Sequence, residues 1–266
     1  MLKVGIIGCG AIGSELARVV VTRFKKNARL AYLCDANPKV AQNLKQKLKT
    51  SAAISPLSKL VCKSDFIIEA ASQQAALDAI PLARRFKKKM LVMTVGALLR
   101  IPNALTKLQK GILYVPSGAL AGVDALLAAH QGKITKVRLT TRKPLASLKD
   151  APFFKKSKWA DKVIRKPTVI FDGSAHVATQ CFPQNINVAA TLSLAGIGSQ
   201  KTKVRIITSP RYKTNSHEIE IEGSFGRIKT LTDNIPSKYN PKTSALAIYS
   251  AIACLQKIFS ALKVGT

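Results

Sequence analysis

The chain has 266 residues, 47% of them hydrophobic, and its 43 Lys+Arg against 13 Asp+Glu give a formal net charge of +30. This length allows one or two domains with a buried core, and a content of only 15 Gly and 12 Pro excludes a fibrous or disordered chain. The five cysteines are odd in number and form no C-x-x-C pair. We therefore expect neither a disulfide framework nor a metal site.

Secreted and membrane proteins are disfavoured as well. The apolar start ends at Ile7 and is followed by glycines, unlike a signal peptide. The most apolar late segment, 245–262, is interrupted by Gln256 and Lys257, unlike a membrane span. These features predict a cytoplasmic protein.

The positive charge is spread along the whole chain. Residues 1–115 and 116–266 each carry a net charge of +15, and the longest uninterrupted basic run is Lys87-Lys88-Lys89. A specific nucleic-acid reader concentrates its charge in a stripe or patch. An even coat instead predicts nonspecific adhesion to nucleic acid and faster encounter with anionic metabolites.

A dinucleotide-binding pattern occupies the first forty residues. A short apolar strand over 3–7 leads into a G-x-G-x-x-G motif, and a helical pattern follows. In such a motif Gly8 permits a tight turn, Gly10 lets the backbone approach a pyrophosphate, and Gly13 lets the helix pack against the strand. The helix start offers free N–H groups to the phosphates at Ala11 and Ile12.

The second strand of this pattern, over 30–34, ends in Asp35, 22 residues after Gly13. A carboxylate at this position accepts hydrogen bonds from a ribose 2′-hydroxyl and repels a 2′-phosphate, so Asp35 favours NAD. The nearby Lys39 and the general positive charge leave NADP open as a second cofactor.

The alternation of strands and helices continues to about residue 118. Apolar strands are predicted over 66–71, 90–95 and 112–115, with a helix over 75–86 between the first two. Ala71 and Ser72 follow at the carboxyl end of a strand, where ligands bind in open α/β sheets. Ser72 is equally suited to capping the next helix, and both roles stay open.

The second half, 119–266, has a different pattern. Polar and apolar residues alternate over 134–141, 204–208, 216–222 and 227–231, as in strands with one solvated face. The fold class expected is α/β: a Rossmann doubly wound parallel sheet over 1–118, then an α+β domain with a largely antiparallel sheet. The helix predicted over 243–263 can pack back on the first domain. The basic segment 146–167, which holds Trp159, is interpreted as a surface loop or mobile flap.

One of the three histidines stands out as a catalytic candidate. His130 lies near a predicted helix end and His176 near a helix start, which are common structural positions. The period of two over 216–222 places His217 on the face of the two isoleucines, opposite the three glutamates. An imidazole titrating near neutral pH beside a cofactor cleft suits acid–base catalysis, although a buried structural histidine fits the same pattern.

Several segments together resemble the L-aspartate dehydrogenases of NAD biosynthesis. The glycine motif is generic, and the more distinctive matches are Glu69 to Ala75, Pro116 to Ala125, Leu139 to Pro144, Phe182 to Thr191, His217 to Ile219 and Asn240 to Ser244. They follow the family's order across nearly the whole chain, although so basic a surface is not typical of the family.

The resemblance implies a homodimeric dehydrogenase that oxidises L-aspartate to iminoaspartate, which is hydrolysed to oxaloacetate and ammonia. It further implies that Ala121 and Asn187 contact the nicotinamide cofactor and that His217 is the active-site residue. The two substrate carboxylates need cations or N–H and O–H donors, and Arg142 and Lys143 are candidates unless they form a solvated strand-end pair.

Two other functions fit parts of the sequence. An imine reductase resembling dihydrodipicolinate reductase would share the architecture, but the paired-histidine motif of that family is missing here. A dinucleotide-sensing regulator would bind nucleic acid through its basic surface without catalysis. No helix-turn-helix or winged pattern supports the regulator.

Overall fold

A computed structural model of the chain describes residues 1–106, 112–149, 151, 153–154, 159, 163–183, 186–238, 240–262 and 264–265. The chain divides into two compact units. The first unit consists of residues 1–116 and 248–263, and the second of residues 117–247 and 264–266. Within the described ranges, no helix combines the length and the apolarity needed to cross a membrane.

The first unit is built on a six-stranded parallel sheet in the order β3-β2-β1-β4-β5-β6. Its strands are β1 (Leu2–Ile7), β2 (Ala28–Cys34), β3 (Ala53–Ile54), β4 (Phe66–Glu69), β5 (Lys89–Val92) and β6 (Leu113–Tyr114). The helices that alternate with them are α1 (Ala11–Thr22), α2 (Pro38–Lys47), α3 (Leu57–Lys63), α4 (Gln73–Arg85) and α5 (Pro102–Leu105), with a 3₁₀ helix over Val95–Arg100.

This strand order defines a Rossmann sheet. Residues 4–7 of β1 and 66–68 of β4, the two central strands, are apolar and buried, as a parallel sheet covered by helices on both faces requires. The order reverses between β1 and β4, and ligands of open α/β sheets bind at the carboxyl ends of the strands at such a reversal. The predicted doubly wound parallel sheet is confirmed.

The last helix of the chain, α10 (Ala245–Phe259), contributes to the core of the first unit. Ala251 and Leu255 are fully buried in that core. The ring of Phe259 lies 5.2 Å from that of Phe24 and 6.4 Å from that of Phe66. This unit is therefore assembled from two segments that lie far apart in the sequence.

The second unit is built on a five-stranded mixed sheet in the order β11-β10-β7-β9-β8. Its strands are β7 (Ile134–Pro144), β8 (Thr168–Ser174), β9 (Lys203–Ser209), β10 (Asn215–Gly223) and β11 (Gly226–Asn234), and a short hairpin pairs β12 (Pro236–Ser237) with β13 (Asn240–Ser244). The helices are α6 (Val123–Ala129), α7 (Ala175–Cys181), α8 (Asn187–Ala195) and α9 (Gly198–Lys201), with a 3₁₀ turn over Leu145–Ser147. The prediction of a second α+β domain is confirmed, although β7 and β9 pair in parallel and β8 was not predicted.

The two faces of this sheet differ as the alternation predicted. His217, Ile219 and Ile221 are buried on the inner face, which joins a core formed with the helices. The outer face carries a network of ion pairs, among them Arg142 with Glu218 at 3.1 Å and Lys136 with Glu222 at 2.9 Å. Such half-exposed pairs each contribute at most about 1 kcal/mol, so burial of the inner face stabilises the unit.

The interpretation of 146–167 as a surface loop holds for only part of the described residues, since Lys149, Arg165 and Lys166 are exposed but several apolar residues are not. Leu148, Phe154 and Ile164 are buried in the core of the second unit, and Trp159 packs against that core half-buried. Their apolar side chains determine this placement more strongly than the surrounding lysines do. The remaining part of the prediction concerns 150, 152, 155–158 and 160–162, which lie outside the described residues.

Candidate functional site

The glycine loop of the first unit joins β1 to α1. Gly8 has a φ of +90°, and its N–H donates to the carbonyl of Cys34 at 2.8 Å. A Cβ on Gly8 would lie 2.6 Å from the carbonyl oxygen of Ala70, and one on Gly13 would lie 1.8 Å from the carbonyl oxygen of Gly8. Both positions therefore require glycine for steric reasons.

Gly10 differs from the other two glycines of the motif. A Cβ there would meet no atom within 4 Å, and its φ of −71° suits any residue. Gly10 also caps α1 without a side-chain hydrogen bond, so the helix start at Ala11 and Ile12 is not covered by a capping side chain. The packing of the protein itself gives no reason for glycine here, whereas close approach of a phosphate does.

Asp35 is held directly beside the glycine loop. Its Oδ2 accepts a hydrogen bond from the N–H of Cys9 at 2.7 Å, and its Oδ1 accepts one from the N–H of Asn37 at 2.9 Å. A carboxylate has about four acceptor positions, so two remain for a ligand. The thiol of Cys9 is buried, and burial together with Asp35 and Cys34 raises its pKa to about 12. The thiol of Cys9 beside Asp35 is therefore uncharged at pH 7.

The sequence reasoning missed a buried carboxylate, that of Glu69, which accepts hydrogen bonds from two different loops. Glu69 ends β4 fully buried, and it accepts hydrogen bonds from the N–H of Ala71 at 2.8 Å and from the N–H and Oγ1 of Thr94 at 3.0 and 2.7 Å. Burial raises the pKa of this carboxyl, while the hydrogen bonds oppose the shift. The sequence feature that could have indicated this buried carboxylate is an acid that ends a run of three apolar residues in Phe66–Glu69, all of them buried.

Replacing Glu69 by Ala should lower the free energy of unfolding by about 2–4 kcal/mol, because three donors lose a buried acceptor. Urea titration followed by circular dichroism measures the change. Glu15→Ala serves as the control, since it removes an exposed ion pair with Arg18 that is worth at most about 1 kcal/mol. Equal losses in the two variants would contradict the structural role of Glu69.

Ala71 and Ser72 follow Glu69 at the carboxyl end of β4. Both are exposed, and Ser72 Oγ accepts a hydrogen bond from the N–H of Ala75 at 3.2 Å as the N-cap of α4. The capping role of Ser72 is therefore observed. A Cβ on Gly8 would lie 2.8 Å from the Cα of Ala71, so this loop adjoins the glycine loop.

His217 is the centre of a polar cluster in the second unit. It pairs with Thr141 across β10 and β7, and its Nδ1 lies 3.1 Å from Thr141 Oγ1. Only 3% of His217 is exposed. Burial, with the positive charge of Lys143 adding to it, lowers the pKa of the imidazole to about 3. The prediction that it titrates near neutral pH is therefore wrong, and the ring is neutral at pH 7.

Arg142 and Lys143, both candidates for binding carboxylates, lie on opposite faces of β7. Arg142 is on the outer face in its ion pair with Glu218. Lys143 is 6% exposed on the inner face, and burial lowers the pKa of its amine to about 8. Sequence reasoning treated the two residues alike, although the period of two separates them and places Lys143 with His217.

Two other predicted residues, Ala121 and Asn187, also belong to the second unit. The carbonyl of Ala121 accepts a hydrogen bond from Thr230 Oγ1 at 3.0 Å, so its loop lies against β11, next to the strand of His217. Asn187 is the exposed first residue of α8, and residues 184–185 before it lie outside the described residues. His130 caps the end of α6 and His176 lies in the first turn of α7, as the sequence predicted.

Family comparisons agree with this division of the chain. Residues 8–111 match the family model described as "Homoserine dehydrogenase, NAD binding domain", which together with the Rossmann sheet defines an NAD-binding oxidoreductase. Residues 124–258 match the model described as "Aspartate dehydrogenase, C-terminal". The chain is 41% identical to the L-aspartate dehydrogenase of Methanosarcina mazei, 43% identical to that of Methanosarcina barkeri and 38% identical to that of Nitrosopumilus maritimus, each over 100% of both chains. The chain therefore belongs to the aspartate dehydrogenase family, as the resemblance predicted.

Solved structures share the fold. The crystal structure of aspartate dehydrogenase from Thermotoga maritima matches over 100% of both chains with a TM-score of 0.73 and 24% identity. Scyllo-inositol dehydrogenase from Lactobacillus casei, solved with bound NAD(H) and scyllo-inositol, matches over 100% of this chain and 91% of its own with a TM-score of 0.52 and 15% identity. The two-unit architecture is thus shared with other dehydrogenases.

Proposed function

We propose that this protein is an NAD-dependent L-aspartate dehydrogenase. The reaction converts L-aspartate, NAD⁺ and water into oxaloacetate, ammonium, NADH and a proton, with iminoaspartate as the intermediate. The observation that carries the proposal is the match of the whole chain, at 41–43% identity, to L-aspartate dehydrogenases. Oxaloacetate follows hydrolysis of the imine, and imine that leaves unhydrolysed can feed NAD biosynthesis.

The residues of the first unit fit a nicotinamide dinucleotide. Open space at Gly10 and the uncovered start of α1 leave room for a pyrophosphate, and the hydrogen bonds to Asp35 leave two acceptor positions for a ribose. The bound dinucleotide supplies the hydride acceptor. The residues proposed to hold it in this unit are Gly8, Gly10, Ala11, Ile12, Gly13, Asp35, Ala71 and Ser72. NADP is the proposed second cofactor, and Ala121 and Asn187 are the proposed contacts from the second unit.

His217 is the proposed acid–base residue. A neutral imidazole has a free nitrogen that can accept a proton from the water that attacks the imine carbon. The hydrogen bond between Nδ1 and Thr141 fixes the orientation of the ring. The protonated imidazole can then give this proton to the nitrogen, which completes the carbinolamine. In a second transfer the ring takes the proton of the carbinolamine hydroxyl and passes it to the nitrogen, so that the C–N bond breaks, ammonia leaves and the carbonyl forms.

Asp35→Ala should raise the Kd of NAD about tenfold or more, because hydrogen bonds to a charged group contribute about 1.5–3 kcal/mol. It should weaken NADP binding less, since the carboxylate that repels a 2′-phosphate is gone. Fluorescence titration of each nucleotide measures both constants. Asp65→Ala is a matched control, because Asp65 accepts a comparable 2.8 Å hydrogen bond from Lys3 N–H at the start of β1. If the two variants bind NAD equally well, Asp35 does not contact the ribose.

Nicotinamide reduction by the purified protein tests the function directly. NAD or NADP is incubated with L-aspartate, D-aspartate, L-glutamate or L-malate, and the absorbance of the reduced cofactor is followed. We expect reduction with L-aspartate alone and faster reduction of NAD than of NADP. Measurable cofactor binding with no reduction by any substrate would refute the enzyme function.

We infer a cytoplasmic homodimer that meets nucleic acid only nonspecifically, through its basic surface. The even distribution of the net charge of +30 supports nonspecific binding. The family resemblance supports the dimer, and sedimentation of the purified protein tests it.

A further inference from the structure

The inner face of the second sheet holds a buried cation beside the proposed acid–base residue. Building on the function proposed above, we propose that Lys143 binds a carboxylate of the substrate and thereby positions the amino acid next to His217. The reaction scheme assigns no group of the protein to either carboxylate. Binding of a carboxylate by Lys143 would select an acidic amino acid as the substrate.

Strand register places Lys143 next to His217. Thr141 is the direct partner of His217, and Lys143 is two residues further along β7 on the same face. On its other side, Lys143 pairs with Thr208 of β9, whose Oγ1 donates to the carbonyl of Lys143 at 2.9 Å. The backbone that carries this amine is therefore fixed between two strands in the middle of the sheet.

Burial makes Lys143 unusual in this protein. Of the Lys and Arg side chains that the structure describes, only Lys143 is buried. A chain with 43 basic residues has many solvated cations, but pairing with a solvated lysine gives little binding energy. A carboxylate that reaches a buried ammonium group interacts in a medium of low dielectric constant and gains much more.

Unsatisfied polar atoms lie on the same face. Thr232 of β11 is the direct partner of His217, and Asn215 lies two residues before His217 on β10. The atoms Thr232 Oγ1 and Asn215 Oδ1 are buried and have no hydrogen-bond partner in the described part of the chain. Buried polar groups of this kind are rare and commonly await a ligand or water. A hydroxyl can donate to a carboxylate, and an amide oxygen can accept from an amine.

Substrate binding by Lys143 should depend on pH, because it requires the charged amine. Because burial lowers the pKa of the amine to about 8, Lys143 loses its charge in the free enzyme as the pH rises above 8. A carboxylate should bind only the charged form. The KM for L-aspartate should therefore increase between pH 8 and pH 9. On the same face His217 is already neutral, and among the described residues the other titratable groups on helices of this core are Asp124, His130, His176, Cys181 and Lys201.

The test compares Lys143→Met, Lys143→Arg and the control Arg142→Met, which removes a charge from the outer face of the same strand. We expect Lys143→Met to raise the KM for L-aspartate at least tenfold while the Kd of NAD stays unchanged. Lys143→Arg should recover part of the affinity and keep it to pH 9, because a guanidinium stays charged. Arg142→Met should behave like the wild type.

A second measurement does not depend on turnover. Calorimetric titration of succinate, a dicarboxylate that cannot be oxidised here, into the protein–NAD complex should show binding by the wild type and at least a tenfold loss in Lys143→Met. The far-UV circular dichroism spectrum of Lys143→Met should match that of the wild type, which rules out unfolding as the cause. Unchanged KM and unchanged succinate binding in this variant would overturn the inference. A wild type that binds succinate but does not oxidise aspartate would refute only the proposed function.

Discussion

Replacing His217 by Ala is expected to lower kcat for L-aspartate oxidation about a hundredfold or more and to leave the Kd of NAD unchanged. General acid–base groups contribute typically 10²–10⁴-fold, and the neutral imidazole is the group proposed to activate water here. NAD binding is retained because the residues proposed to hold the pyrophosphate and ribose belong to the first unit. Steady-state kinetics and nucleotide titration measure the two quantities.

A second histidine of the same unit provides the control for this experiment. His176→Ala removes a half-buried imidazole from the first turn of α7, outside the polar cluster, and kcat should stay within about twofold of the wild type. Equal losses of kcat in His217→Ala and His176→Ala would show that the effect is structural. If His217→Ala turns over normally, the imidazole has no part in the reaction.

Gly13→Ala is expected to have the largest effect on the first unit. The new Cβ would lie 1.8 Å from the carbonyl oxygen of Gly8 and 2.9 Å from its carbon, and neither backbone atom can rotate away as a side chain does. Helix α1 must shift from β1, which should lower the free energy of unfolding by about 3 kcal/mol or more. NAD binding should be lost with the geometry of the loop, as nucleotide titration would show.

Gly10→Ala should change NAD binding without changing the stability of the protein. Its Cβ meets no atom within 4 Å, so the free energy of unfolding should change by less than about 1 kcal/mol. The Kd of NAD should nevertheless rise at least tenfold, because the methyl group occupies space that the pyrophosphate needs. Tight NAD binding by Gly10→Ala would contradict the proposed position of the pyrophosphate.

Sequence reasoning worked best where structure is determined locally. The segment from β1 to Asp35 could be predicted because strand, glycine turn, helix and strand follow one another within forty residues. The inward direction of His217 followed from the period of two over 216–222.

Features set by distant partners were not predictable. The parallel pairing of β7 with β9 joins segments about sixty residues apart, and no local pattern selects it. Nor does the sequence show that burial lowers the pKa of both His217 and Lys143, since that depends on the helices covering the sheet. The hydrogen-bonding role of Glu69 likewise depends on the loop after β5, which places Thr94 beside its carboxylate.

The position of α10 has a consequence for how the chain folds. The ribosome makes the Rossmann strands before the second unit, yet Ala251, Leu255 and Phe259 belong to the core of those strands. Arg23 also hydrogen-bonds to Gln256, which lies 233 positions later in the chain. That core cannot close before residue 259 has been synthesised, so the unit begun first is finished last. Closing the long loop between the two segments costs entropy. This cost is lower when the second unit has already folded, because a folded segment brings its two ends together.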